Sequence, residues 1–247
     1  NGSGTVTMGT SITAGNTIIT ASGYTFAPNA TISLASPVKL DQSLTVAPTN
    51  GNTFTMSGIL SSTGALTQND AGATTLSGVN THTGGVTLTT GTLNINNAAA
   101  LGGSSGTFTI NGGTVDNTSG SAITNSNNNP QTWGADFTFT GTNNLNLGTG
   151  AVAITASATR TVTVGGGTLT VGGAISGASS NLTKAGAGIL SLSGANTYSG
   201  GSTTINAGTL QLGANGTLPS STAVTLANTA GAVLDVNGKT QTIGSLS

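Results

Sequence analysis

Two stretches of this chain are copies of one another, and a repeat of that kind limits the available folds more than any single motif does. Leu182 to Gly213 reads LTKAGAGILSLSGANTYSGGSTTINAGTLQLG, and Leu66 to Ile95 reads LTQNDAGATTLSGVNTHTGGVTLTTGTLNI. Leu182 matches Leu66, Gly188 matches Gly72, Leu192 matches Leu76, and Asn196-Thr197 matches Asn80-Thr81. Gly200-Gly201 matches Gly84-Gly85 and, after one inserted residue, Gly208-Thr209-Leu210 matches Gly91-Thr92-Leu93. Each copy reads as strand, turn, strand, turn. Thr209-Leu210-Gln211-Leu212 alternates with the period of a half-buried strand, and Gly-Ala-Asn and Ser-Gly-Gly punctuate the strands. Such strands cannot bury an apolar face alone, whereas stacked copies can.

The same alternation runs through the rest of the chain. Short strands are expected at Thr5–Met8, Thr17–Thr20, Thr31–Leu34, Ser43–Val46 and Thr53–Met56, with turns at Ala14-Gly15-Asn16, Ala27-Pro28-Asn29 and Thr49-Asn50-Gly51. Beyond the first repeat copy the pattern resumes at Thr107–Ile110, Phe137–Phe139, Leu145–Leu147, Val152–Ile154, Val162–Val164 and Leu169–Val171, and it continues to Leu246. One interruption stands out, from Ser119 to Trp133. Ser126-Asn127-Asn128-Asn129-Pro130 lacks apolar alternation and reads as an exposed loop or an outward excursion, with Trp133 sealing the core beneath it.

Composition narrows the function classes. Charged residues make up 4% of the 247, aromatic residues 3%, and glutamate is absent; an ordinary globular domain carries about 25% charged residues. A net charge of −1 argues against nucleic acid and anionic membranes, which require a basic patch. With no cysteine there is neither a disulfide nor a thiolate metal site. No apolar run is long enough for a membrane-spanning helix. The absence of an initial Met and of a signal peptide reads as a mature or excised segment. No linker or shift in composition divides the chain, so residues 1–247 are expected to form a single β-solenoid domain.

The motif LTKxGxGxLxLSGANTYSGG…TTINAGTLQLG, near-complete over Leu182–Gly213 and partial over Leu66–Ile95, resembles the autotransporter-associated β-strand repeat found in passenger regions of secreted bacterial surface proteins. The resemblance implies an all-β, right-handed parallel β-helix, secreted to the cell surface, and mostly structural in role. At about 20–25 residues per turn the chain would make roughly 10–12 rungs stacked about 4.8 Å apart. In family members the closing Thr242-Ile243-Gly244-Ser245-Leu246-Ser247 runs on into a strand that is found here at the other end, in Asn1-Gly2-Ser3-Gly4-Thr5-Val6-Thr7-Met8-Gly9. The leading expectation is therefore a structural subunit stacking head to tail into a surface or matrix filament, with Gly2, Thr5, Val6, Met8, Thr242, Ile243 and Leu246 as the assembly interface. The other occupant of that junction is more of one long polypeptide. The alternative function is an autotransporter-type passenger or adhesin stalk, whose partners would include extracellular polysaccharide and other surface proteins.

Chemistry finds little purchase. His82, the only histidine, takes the place of Tyr198 in the repeat and reads as a structural turn residue. No cofactor, metal or catalytic constellation is expected: no second His, Cys or Glu can complete a common metal site. A polysaccharide-active β-helix enzyme would need clustered acids. Asp116, Asp136 and Arg160, about a rung apart, are the best candidates for one face, while Asp41, Asp70 and Asp235 are dispersed. Thr-x-Thr pairs such as Thr53/Thr55 and Thr107/Thr109 resemble the ranks of ice-binding solenoids, but at irregular spacing.

Overall fold

The structure is a computed structural model that describes residues 4–8, 17–19, 23–35, 37–155, 157–228 and 231–247. Those residues form short strands and no helix, and every strand pairing among them is parallel. The chain winds as a β-solenoid of about 10 turns. Side chains alternate between the inside and the outside of the coil, as in Phe108–Ile110, Gln131–Trp133 and Phe137–Phe139, where two buried residues flank a half-buried one. That alternation fixes register, because a slip of one residue would turn the apolar set outwards.

Three faces can be followed along the stack. Face A carries Val38–Leu40 and Leu60–Ser61, then, beyond the first repeat copy, Leu145, Leu169, Leu190, Leu210 and Leu234 in one column. Face B carries the column Tyr24, Leu44, Leu66, Val86, Phe108, Gln131, Val152, Ile175. Face C carries Phe54, Thr74, Leu93, Val115, Phe139, Val164. Faces B and C belong to one sheet, since the long strands Leu66–Leu76 and Val86–Ile95 run through the corner between them. Inward side chains from all three faces merge into a single core from Ile19 to Val224.

Outside the core, face B shows an unbroken rank of Thr5, Thr25, Thr45, Thr67, Thr87, Thr109 and Thr132, which then gives way to Ala153 and Ser176. A separate column of Thr92, Thr114, Thr138 and Thr163 lies on face C. The Thr-x-Thr pairs are thus divided between faces.

Within the stretch from Ser119 to Trp133, Ser126–Pro130 forms a turn outside the strands, as expected, but the residues around it are built into the stack. They contribute the strands Ile123–Thr124 on face A and Gln131–Trp133 on face B. Alternation is missing from the sequence because asparagines fill the inward positions. Asn129 is fully buried, and its Nδ2 donates to the carbonyls of Gly103 (2.8 Å) and Gly106 (2.9 Å) in the rung before. Asn125 donates to Asn129 Oδ1 at 3.1 Å. Trp133 is buried as expected, edge-on to Phe137 with centroids 5.2 Å apart. The expected turn at Ala14-Gly15-Asn16 lies outside the described residues.

Candidate functional site

Within each repeat copy, the positions that bear polar groups into the core are the ones that define the motif. Gln68 and Lys184 occupy the same place, and both are completely buried. Each folds its head toward the following corner. Gln68 Nε2 donates to the carbonyls of Asp70 (2.7 Å) and Gly72 (3.2 Å), and Gln68 Oε1 accepts from Thr74 Oγ1. Lys184 Nζ donates to the carbonyls of Ala185 (2.8 Å), Gly186 (2.7 Å) and Ala207 (3.0 Å). Among the described residues no carboxylate pairs with this ammonium, and burial pulls it down from 10.5 to about 8. Gly91 and Gly208 close these corners at φ +72° and +64°. A side chain at Gly91 would collide with the carbonyls of Asp70 and Gly72, and one at Gly208 with those of Gly186 and Gly188. The corner is thus a ring of carbonyls around a polar head, closed in each copy by a glycine.

A second polar pair separates the copies. Tyr198 is buried, and its hydroxyl bonds Thr203 Oγ1 at 2.6 Å, which in turn meets Thr222 Oγ1 at 3.2 Å. Burial pushes the tyrosine up to about 12, against a smaller opposing contribution from that hydrogen bond. In the first copy His82 replaces Tyr198, and the stacked position of Thr203 is held by Val86: Thr203 stacks on Leu182 just as Val86 stacks on Leu66. His82 is fully buried, and neither ring nitrogen has a partner at hydrogen-bonding distance. Desolvation holds it down at about 4, and the nearby backbone of Gly85 and Leu60 only partly offsets this. The ring is therefore neutral at physiological pH and structural, as its place in the motif implies.

Asn80 and Asn196 tie the rungs together. Asn80 Oδ1 accepts from Leu60 N–H (2.9 Å) and its Nδ2 donates to the Ala100 carbonyl (2.7 Å), so one side chain bridges the rungs on both sides. Asn196 Oδ1 accepts from Ile175 N–H at 2.7 Å, but its Nδ2 is buried without a partner.

The acids and the arginine do not converge. Asp116 accepts from the N–H groups of Asn117 and Thr142 and from Thr142 Oγ1. Asp136 accepts from Thr161 N–H at 2.9 Å. Arg160 donates to the carbonyls of Trp133 and Gly134 in the preceding rung. Asp41 lies below its usual range because it accepts from Ser62 and Lys39, and Asp235 because it accepts from Gln211 and Asn237 N–H. Asp41, Asp116, Asp136 and Asp235 each bond to a neighbouring rung, and among the described residues no cluster able to hold a metal ion forms. No helix among them is long and apolar enough to cross a membrane.

The residues expected at an assembly interface lie at opposite ends of the stack. Gly2 is outside the described residues. Thr5, Val6 and Met8 lie in the strand Gly4–Met8 on face B, stacked on Thr25, Phe26 and Pro28. Thr242 is exposed and Ile243 packs partly against the core. Leu246, on the last strand of face C, stacks on Val224 and is 62% exposed.

The class that these observations define is a parallel β-solenoid whose inward polar groups serve its own rungs. Comparison with known proteins specifies its repeats. The Passenger-associated-transport-repeat matches residues 66–95 and 182–212, the two copies described above. A relative from Brucella suis biovar 1 (strain 1330), described as an adhesin autotransporter, BmaC, is 36% identical over 119 residues. That alignment covers 48% of this chain and 3% of the relative's length, so the chain corresponds to a small part of such a protein. No solved structure matches the chain. The two copies in this chain are passenger-associated-transport repeats. Sequence reasoning found these repeats. It did not single out Gln68, Lys184, Asn80 and Asn196 as the polar groups that hold the rungs, although their coincidence between the two copies was the available signal.

Proposed function

We propose that this chain is a segment of a secreted, cell-surface passenger of the adhesin type, a non-enzymatic stalk that holds binding regions away from the cell. The observation that carries this reading is the continuous parallel stack into which both passenger repeats are built. Asp116, Asp136 and Arg160 are engaged with backbone groups instead of being gathered in a cleft, which favours support over catalysis. A rung-by-rung scaffold needs only nearest-neighbour contacts, so its length can be set by repeat number without redesigning a core.

A second reading is a filament of separate subunits, stacked head to tail through Thr5, Val6, Met8, Thr242, Ile243 and Leu246. On the last rung Val236 is 44% exposed and Leu246 62%. A further rung would cover them, supplied either by the same polypeptide or by a second copy. Immunoblotting of source cells with antibodies against this chain separates the two readings. The stalk reading expects surface labelling and one polypeptide far heavier than 23.5 kDa. Free 23.5 kDa units in fibres would favour the filament, and antigen confined to the cell interior would overturn both.

A further inference from the structure

Asn1, Asn50, Asn111, Asn215 and Asn237 each precede a glycine. Three of these pairs, all covered by rungs on both sides, sit in different surroundings. Asn50-Gly51 is the tip of a type II turn, closed by Asn52 N–H donating to the Thr49 carbonyl at 3.0 Å, with Gly51 at φ +82°. Both residues are exposed, and among the described residues neither makes a hydrogen bond. The space beside Gly51 where a Cβ would stand is open. Asn215-Gly216 is clamped to the following rung instead. Asn215 Oδ1 accepts from Thr240 N–H at 3.0 Å, and Gly216 N–H donates to the Thr240 carbonyl at 2.9 Å. Asn111 is exposed, but its N–H donates to the Leu88 carbonyl at 2.8 Å and its Oδ1 packs against Gly134 of the next rung.

An Asn-Gly pair carries its own reactants. The main-chain nitrogen of the glycine attacks Cγ of the asparagine. A C–N bond forms, and the side-chain nitrogen leaves as ammonia with the proton that the glycine nitrogen gives up, so a succinimide ring remains. Water opens that ring at one carbonyl or the other, to aspartate or isoaspartate, without oxidation or reduction. The glycine nitrogen must be free of other bonds, and the asparagine side chain must be free to turn onto it; glycine adds no Cβ to crowd the approach. Asn50-Gly51 meets both conditions. At Asn215-Gly216 the two bonds of the clamp must break first, which slows the reaction by about tenfold or more. We propose that Asn50 is a site of spontaneous covalent modification, converted to aspartate and isoaspartate in the folded chain while Asn215 and Asn111 are held back by their neighbouring rungs. The turn lies between the strands Leu44–Val46 and Thr53–Met56, so the additional main-chain carbon of isoaspartate leaves the ladder paired. Conversion needs no enzyme, and it adds a negative charge to a chain whose formal net charge is −1. It is independent of the stalk reading, since it depends on one turn and not on what the rod carries.

Incubation of the whole chain in mildly alkaline buffer, folded and in concentrated guanidinium, tests this, with each asparagine followed by peptide-mapping mass spectrometry. In the folded chain Asn50 should convert first and yield both products, with Asn215 slower by about tenfold or more. In guanidinium the two rates should converge, because only the following glycine then matters. Asn50→Gln should remove the early release of ammonia and leave the circular dichroism spectrum unchanged. Three results would each overturn the proposal: an Asn50 that stays intact in the folded chain while converting in guanidinium, an Asn215 or Asn111 that converts as fast as Asn50 in the folded chain, and a ratio of Asn50 to Asn215 rates that is the same folded and unfolded.

Discussion

Leu66 and Leu182 open the two copies of the repeat, yet they lie on different faces of the solenoid. The column above Leu66 runs through Val86, Phe108, Gln131 and Val152 to Ile175, on face B. Leu182 belongs to the strand Asn181–Ala185, whose Lys184 stacks on Val162 and, through it, on Phe137 of face C. The copies are therefore out of phase by one face, and each corner of the motif points in a different direction around the axis in the two halves. For a stalk, this distributes equivalent corners around the rod.

His82 should make the first copy acid-sensitive. Its value is about 4 when folded and 6.5 when unfolded, so between those limits the unfolded chain binds more protons. The stability is fully present above pH 6.5 and falls as the pH drops toward 4, by about 3 kcal/mol in all. Replacing His82 by Tyr together with Val86 by Thr recreates the Tyr198–Thr203 pair and should abolish that loss. Urea midpoints at pH 7 and pH 4.5 measure it, and an equal acid loss in the double variant would contradict the assignment.

Lys184 gives the opposite end of the pH range a signature. Its folded value of about 8 lies below the unfolded 10.5, so the unfolded chain holds the proton more tightly and stability rises with pH across that window. The rise is cleanest below pH 10.0, where Tyr198, held at about 12, begins to act in the other direction. Lys184→Gln, the residue that the first copy uses at Gln68, should remain folded and lose the rise. Denaturant midpoints at pH 7.5 and 9.5 decide this; a rise that survives in the variant would assign it elsewhere.

Asn80→Ala should cost more than Asn196→Ala. The first strands both Leu60 N–H and the Ala100 carbonyl, the second only Ile175 N–H. Two lost hydrogen bonds within the core amount to about 2–3 kcal/mol and one to roughly half that. Thermal unfolding of the two variants side by side checks the order, and equal losses would contradict the bridging role of Asn80.

Most of the architecture was legible because alternation and the repeat are local signals. Strand positions such as Thr53–Met56 and Val152–Ile154 follow directly from the pattern of apolar residues. The rung at Ser119–Trp133 was not, because Asn125 and Asn129 fill inward positions, Asn129 satisfying carbonyls more than twenty residues earlier and Asn125 that of Leu147 in the following rung. The phase difference between Leu66 and Leu182 was hidden for a related reason. Rungs vary in length, with column neighbours such as Val86 and Phe108 or Phe137 and Val162 at unequal spacing, so the distance between copies does not reveal the face. At the level of sites, the sequence named the acids and His82 as the chemistry-bearing groups. It could not show that Asp116, Asp136 and Arg160 are each bound to backbone, or that Asn196 lacks a partner, since both depend on which rung lies above.

The central claim is one continuous ladder in which the second repeat copy has moved round to face C, and cysteine cross-linking tests it directly, because the chain has no cysteine of its own. Parallel neighbours lie about 4.8 Å apart, within reach of a disulfide. Thr161→Cys with Thr183→Cys, and Ala153→Cys with Ser176→Cys, are adjacent on faces C and B and should each cross-link on mild oxidation. Ala153→Cys with Thr183→Cys should not, because the two lie on different faces. Cross-linking of that third pair in preference to the first two would contradict the account.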